Sequence, residues 1–301
     1  PLVEITQIKG TSETHPRLSP DDEWADFEIL NTRKGNVSQY SLVNGSYVRQ
    51  ALQNGLALNY EKRGNPFKIG FIGSTDTHNS ASPIDEDNYY GGAAISFSPD
   101  NRGSVPYGTT DRSLSTIYSS GNTYADMRGV QFGASGIAAV WAEQNTRESI
   151  FAAMKRKETY GTSGNRIKLR FFAGHSITEE DLANPNAVSV LYKKGVPMGG
   201  DLLSKTGQEP SFVVWAQKDK NGAPLQRIQI VKGWYDSDWK RETREKVYDV
   251  VCSDNLKVNP KTHRCPDNDA KVDLNNCSIS SNAGSSELKT IWKDPDFDPS
   301  M

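Results

Sequence analysis

Apolar and polar positions alternate along the chain in two distinct ways, and the change from one to the other divides it. Residues 2–8, LVEITQI, alternate loosely and carry β-branched side chains, which predicts a strand. Tyr47, Val48, Ala51, Leu52 and Leu56 recur at helical spacing, predicting a helix over 46–59 with Asn44 or Ser46 as its cap. Phe67 to Ile72 is a short apolar run closed by Gly73, the pattern of a buried strand. Residues 136–141, GIAAVW, predict another such strand. Asn145 to Lys157 predicts a helix, with Asn145 and Glu148 as a capping-box-like start and Ile150, Phe151 and Met154 as its buried stripe. Thr159 to Asn165 reads as punctuation. From there on the helical period gives way to strand patterns at 167–173, 211–217, 225–234, 245–252 and, last, ELKTIW near the end.

Strand, loop, helix, strand is the βαβ order of a parallel sheet or barrel. The expectation is therefore an α/β region over residues 1–164 followed by a mainly antiparallel β domain over 165–301. Residues 80–135 form a long stretch rich in Gly, Ser, Tyr and Asn. It is expected to wall the pocket, with Glu86, Asp87 and Tyr89 as candidate substrate contacts.

Composition narrows the class. The 301 residues are 35% hydrophobic and 24% charged, as in a folded globular chain, and long enough for two domains. A net charge of −2 gives no reason to expect nucleic acid or an anionic membrane as a general partner. No apolar run reaches the ~20 residues of a membrane span. Oligomeric state is not legible. Three cysteines, Cys252, Cys265 and Cys277, leave several options open: a disulfide between Cys265 and Cys277, one between Cys252 and either of them, or three free thiols. A structural zinc site is the weaker rival, since no Cys-x-x-Cys pair exists and only His263 is near.

The chemistry concentrates after the apolar run at 67–72, in the segment Gly73-Ser74-Thr75-Asp76-Thr77-His78. Ligands of α/β folds sit beyond the carboxyl ends of parallel strands. An aspartate and a histidine two residues apart there are a half-set of ligands for zinc, manganese or iron. If the strand at 2–8 lies beside this one, Glu4, Glu13 and His15 come within reach of the same pocket. Phosphate loops, the GxSxG elbow and HExxH are all absent. Trp215, Trp234 and Trp239 raise a rival reading, in which the β region recognises a carbohydrate or another partner. Trp215, in an apolar strand, reads first as core.

The stretches VEITQIKGTSE (3–13), NPFKIGFIGSTDTHN (65–79), 138–172, PLQRIQIVKGW (224–234), EKVYDV (245–250) and KDPDFDPS (293–300) carry a resemblance. Together they resemble the later part of metal-dependent hydrolases of the polymerase and histidinol phosphatase (PHP) superfamily. More closely, they resemble a large bacterial group of that superfamily labelled a domain of unknown function. The resemblance implies a distorted (β/α) barrel with two or three divalent metal ions at its carboxyl face. It implies Asp76 and His78 as catalytic residues and the closing ligand pair, Glu4 as a glutamate in or beside the metal shell, and Glu13 and His15 as further candidates. It also implies hydrolysis of a small-molecule ester, phosphate esters leading, in a periplasmic or secreted setting. The superfamily's opening His-x-His is missing, so the expectation is a fragment whose partner ligands lie upstream of Pro1 and which is inactive alone.

Overall fold

The computed structural model describes residues 1–33, 36–76, 116–119, 122–125, 136–237, 242–273, 276, 278–280 and 282–299. The expected pocket contacts Glu86, Asp87 and Tyr89 lie outside the described residues, as do His78, Trp239 and Cys277.

Strand β1 (Leu2–Gln7) turns back on the two-residue β2 (Gly10–Thr11). A short antiparallel pair follows, β3 (Thr32–Arg33) with β4 (Asn36–Tyr40). Helix α1 (Val48–Tyr60) then crosses to β5 (Gly70–Gly73), which runs parallel to β1 with Glu4 opposite Ile72. The sheet order is β2-β1-β5. Parallel neighbours need a crossover, and α1 supplies it. The expected strand over 67–72 is shorter and shifted, and Phe71 and Ile72 are half-buried rather than enclosed on both faces.

Helix α1 begins at Val48 with Tyr47 as its N-cap, and neither Asn44 nor Ser46 caps it. Its first amides are satisfied from elsewhere in the chain. Val48 N–H donates to the Ser12 carbonyl (2.9 Å) and Arg49 N–H to that of Glu13 (3.0 Å). The loop after β2 therefore does the work of a cap, since these amides have no partner inside the helix.

A hairpin of β6 (Thr116–Ser119) and β7 (Asn122–Ala125) lies within the stretch expected to be irregular. Next come β8 (Ile137–Val140), α2 (Arg147–Arg156) and β9 (Thr159–Thr162), with β8 and β9 antiparallel. The expected punctuation at 159–165 is thus partly strand. Thr146, not Asn145, caps α2, its side chain accepting from Ser149 N–H (3.3 Å). The buried face of α2 is centred on Ala153, which has no exposed surface. Phe151, expected inside, is 62% exposed, with Lys155 Nζ 5.8 Å from its ring centre.

The antiparallel β8–β9 pair meets β5 backbone to backbone. A side chain at Gly161 would set its first carbon 2.7 Å from Gly73 N, and one at Gly73 would set it 2.9 Å from the backbone of Ile137. Only glycine permits this approach.

The later region opens with β10 (Lys168–Gly174) and two short helices, α3 (Glu179–Ala183) and α4 (Ala187–Lys194), which the strand-only expectation did not contain. It continues with β11 (Val196–Pro197), β12 (Ser211–Gln217), β13 (Arg227–Asp236), β14 (Glu242–Cys252), the small pair β15 (Val272–Asp273) and β16 (Ser278–Ile279), and β17 (Glu287–Lys293). An antiparallel sheet forms in the order β11-β10-β12-β17. Its two faces follow the strand period of two. Phe172 and Val213 pack on one side with Ile177, Leu182 and Leu191 of the helical cover. Val214, Ala216 and Leu288 pack on the other with Leu225 and Ile228, beneath the β13–β14 hairpin.

α1 packs against β13 and β14, so the earlier and later parts of the chain share an interface. Tyr60 and Tyr235 meet there with ring centres 4.6 Å apart. A disulfide joins Cys252 and Cys265, selecting one of the pairings left open by the sequence. The molecule is a mixed α/β protein rich in sheet, and among the described residues no barrel closes. No described helix is long and apolar enough to cross a membrane.

Candidate functional site

The carboxyl ends of β1 and β5 meet, as a parallel pair requires. Ser74 N–H donates to the Thr6 carbonyl (3.1 Å), and Gly136 N–H, just before β8, donates to the Ser74 carbonyl (2.9 Å). A side chain at Gly136 would put its first carbon 2.3 Å from the Thr6 carbonyl oxygen. Three backbone segments thus converge beside Ser74 with no room for a larger residue.

A continuous polar chain runs across this junction. The Ser74 hydroxyl donates to one Glu4 carboxylate oxygen, and Gln7 Nε2 donates to the other (3.1 Å). Lys9 Nζ donates to Gln7 Oε1 (3.1 Å) and pairs with the Asp76 carboxylate. Two of the residues singled out from sequence, Glu4 and Asp76, therefore belong to one cluster. Asp76 has a backbone φ of 47°, in the left-handed region. Aspartate enters that region more readily than most residues, and such conformations concentrate at functional sites. Sequence reasoning missed Gln7 and Lys9. The available signal was a run of polar side chains leading out of β1 towards the turn that faces Asp76.

Glu13 and His15 go elsewhere. Glu13 accepts from Arg49 Nε (3.0 Å) and Nη2 (2.5 Å). The same guanidinium donates through Nη1 to Asp22 (2.6 Å) and Glu245 (3.2 Å). Glu245 also accepts from Ser19 (2.8 Å), which is bonded to Thr14 (2.6 Å). One arginine therefore ties the loop after β2, helix α1 and strand β14 together. Burial opposes the Arg49 charge, but the carboxylates of Glu13, Glu245 and Asp22 outweigh it and raise the guanidinium further above its ordinary range. His15 accepts from Arg17 N–H through Nδ1 (3.1 Å) and lies tilted against Tyr47, ring centres 5.6 Å apart. Arg49 was also missed. Its signal was a lone cation in register with the apolar stripe Leu52 and Leu56.

A cavity of about 510 Å³ opens on the α1 side of β1 and β5, with Ile5, Leu52, Leu56, Phe71 and Val231 among its walls. Ile5 and Phe71 line it. Glu4 and Ile72, one position away, belong to the alternate side-chain set, and neither Glu4 nor Asp76 is among the lining residues. The apolar cavity and the polar cluster are therefore separate features.

As metal donors, Glu4 and Asp76 supply hard carboxylate oxygens suited to a divalent cation. The ammonium of Lys9 shows that positive charge is accepted beside Asp76. Two carboxylates are half of a ligand set. Among the described residues no three His, Cys, Asp or Glu side chains stand close enough to hold a metal.

Across residues 1–301 the chain matches the family described as Protein of unknown function (DUF3604), and it belongs to that family. No curated protein and no solved structure matches it significantly.

Proposed function

We propose that the cluster at the ends of β1 and β5 is part of the site of a metal-dependent hydrolase, with phosphate esters as the leading substrate class. The observation that carries this reading is the meeting of Glu4 and Asp76 in one hydrogen-bonded network at the carboxyl ends of parallel strands. On this reading the parallel pair belongs to a distorted (β/α) barrel of the PHP type, and further ligands complete the set. Glu4, Asp76 and His78 contribute donors for a divalent cation, zinc, manganese or iron. When bound, such an ion supplies charge neutralisation and a more acidic water. The chain's own part is positional. Ser74 and Gln7 fix the Glu4 carboxylate, as ligating carboxylates require. Lys9 holds Asp76 in place beside that site.

A second reading has one observation in its favour, the Lys9–Asp76 pair itself. An ammonium that permanently neutralises Asp76 would make this end of the sheet a metal-free scaffold. Elemental analysis of the intact protein, with turnover of an aryl phosphate, separates the two. The hydrolase reading expects bound divalent metal and activity, both lost in Asp76→Asn and His78→Ala. Full metal content and activity in those variants would overturn the assignment.

A further inference from the structure

The outer face of the four-stranded sheet carries a second feature, independent of the hydrolase reading. On the side that meets α3 and α4, three rows cross the strands in register: Phe172–Val213–Ile291, Arg170–Trp215–Lys289 and Lys168–Gln217–Glu287. The helices cover the first row, which joins the buried cluster. The next row continues past them. Trp215 and Arg170 are half-buried there, and Lys168 and Lys289 are exposed.

The aromatic and cationic groups alternate in space. Arg170 Cζ lies 3.6 Å from the centre of the Trp141 ring, and Lys289 Nζ lies 4.9 Å from that of Trp215. Trp141 is fixed by its indole N–H, which donates to the Leu169 carbonyl (2.7 Å). The order across the surface is Trp141, Arg170, Trp215, Lys289. Two hollows of about 230 and 620 Å³ adjoin this row, sharing Val188 and Trp215. Lys168 and Arg170 wall the first, and Tyr192 and Lys193 the second. No carboxylate lines either one. The acids nearby are already engaged: Glu158 with Tyr192 and Arg156, Glu287 with Gln217 and Lys289. The indole nitrogen of Trp215 is buried and has no hydrogen-bond partner among the described residues. A buried donor left so is the exception in folded proteins.

We propose that this cleft binds an anionic polysaccharide, a sugar chain bearing carboxylates or sulfates. Arg170 and Lys289 stand on strands two apart, so their backbones are roughly 10 Å from one another. That is the spacing of charges on alternate sugars of an extended chain. The cations meet the anionic groups, and the apolar floor at Val188 meets a pyranose face. Single-stranded nucleic acid fits less well. Bases need open aromatic faces, and here Arg170 and Lys289 already stand over those of Trp141 and Trp215. With a net charge of −2 over the chain, the basicity is local to this cleft.

The test measures binding of the intact protein to polygalacturonate, dextran sulfate, neutral dextran and poly(dT), by affinity electrophoresis or interferometry. The expected result is binding to both anionic polysaccharides that weakens as salt rises and is unchanged by a chelator. The exposed-site variants Lys168→Gln and Lys289→Gln each weaken it several-fold. The pair together weakens it about tenfold or more, roughly 1.4 kcal/mol, at an unaltered unfolding midpoint. Arg170→Lys keeps the charge but loses the flat stack on Trp141, and also weakens binding. No binding, equal binding to neutral dextran, tighter binding to poly(dT), or unchanged affinity in the paired variant would each overturn the proposal. Loss of chelator-sensitive hydrolysis without loss of polysaccharide binding separates this site from the proposed metal site.

Discussion

Two acidic clusters flank the first parallel strand pair and its crossover helix, and they differ in what answers their charge. At Arg49, three carboxylates, two from the loop after β2 and one from β14, converge on one guanidinium whose side chain is 14% exposed. Every acid there has a partner, and the partners link α1 to the β14 hairpin. At the end of β1, two carboxylates share a chain of weaker donors, and only Asp76 meets a full positive charge, on a flexible lysine. The first arrangement is fixed by burial and fork geometry. The second places an ammonium beside an aspartate held in a left-handed turn. Residues of the same type, Glu13 and Glu4, therefore serve opposite ends. Glu13 joins the Arg49 cluster, and Glu4 joins the network that reaches Asp76.

The largest effect should come from breaking the first cluster. Arg49→Ala strands the carboxylates of Asp22 and Glu245, whose side chains are 3% and 11% exposed. Removing one partner from a buried ionic group costs about 3–5 kcal/mol. A urea midpoint lowered to that extent is the expected outcome. The triple change Arg49→Met, Asp22→Asn, Glu245→Gln should recover most of it, because the loss comes from stranded charge rather than from missing attraction. An Arg49→Ala protein as stable as the parent would show that the cluster holds nothing.

Asp76→Asn should behave in the opposite way. Metal content and ester turnover should fall by about 100-fold or more, beyond what loss of a supporting contact costs. The unfolding midpoint should fall less than in Arg49→Ala, which strands two largely buried carboxylates at once. Lys9→Met should leave metal binding intact or tighter, since it removes a competing ammonium. If Asp76→Asn unfolds as Arg49→Ala does and Lys9→Met matches it, the two clusters are both structural and the contrast between them fails.

Glu13 sharpens the line between the clusters. Its side chain is 47% exposed, so solvent screens most of its attraction to Arg49. Glu13→Gln should lower stability by about 1 kcal/mol or less and leave metal content unchanged. A loss of metal in this variant would move Glu13 into the site at the end of β1.

The separation explains which parts of the fold were legible beforehand. That Glu4 and Asp76 share a junction followed from strand, helix, strand: parallel pairing brings both carboxyl ends to one edge. The strands at 211–217 and 287–292 carried enough alternation to be read directly. Glu13 was not readable in this way, because Arg49 and Glu245 lie 36 and 196 residues from their partners in the cluster. Nor was the start of α1, whose capping carbonyls come from Ser12 and Glu13 across the fold. α3 was readable and missed. Thr178 and Asp181 form a full capping box, but a five-residue helix gives too little periodicity to stand out from the strands around it. The row of Arg170, Trp215 and Lys289 needed the register between three strands, which no local pattern contains.

A third ionic group, at the end of β17, supplies the smallest and most regular test. Here carboxylates and ammoniums match one for one: Lys232 pairs with Asp294 (2.5 Å) and Lys246 with Asp296. Tyr248, 1% exposed, donates its hydroxyl to Asp296 (2.6 Å). Lys246 and then Tyr248 hold the Asp296 carboxyl below its ordinary range. Burial, reinforced by Asp296, pushes the Tyr248 phenol well above its own. The signs at the two ends of the pH scale follow. A carboxyl depressed in the folded state contributes its full stability above the unfolded value of about 4 and loses it as pH falls through the lowered folded value. A phenol raised in the folded state contributes fully below about 10 and loses that contribution as pH climbs towards the raised folded value. Asp296→Asn should therefore have a lower urea midpoint than the parent at neutral pH, with the two curves converging in strong acid. Tyr248→Phe should flatten the alkaline limb and leave the acid limb largely in place. Parallel curves for parent and Asp296→Asn across the acid range would mean that this balanced group, unlike the Arg49 cluster, contributes nothing to folding through its charge.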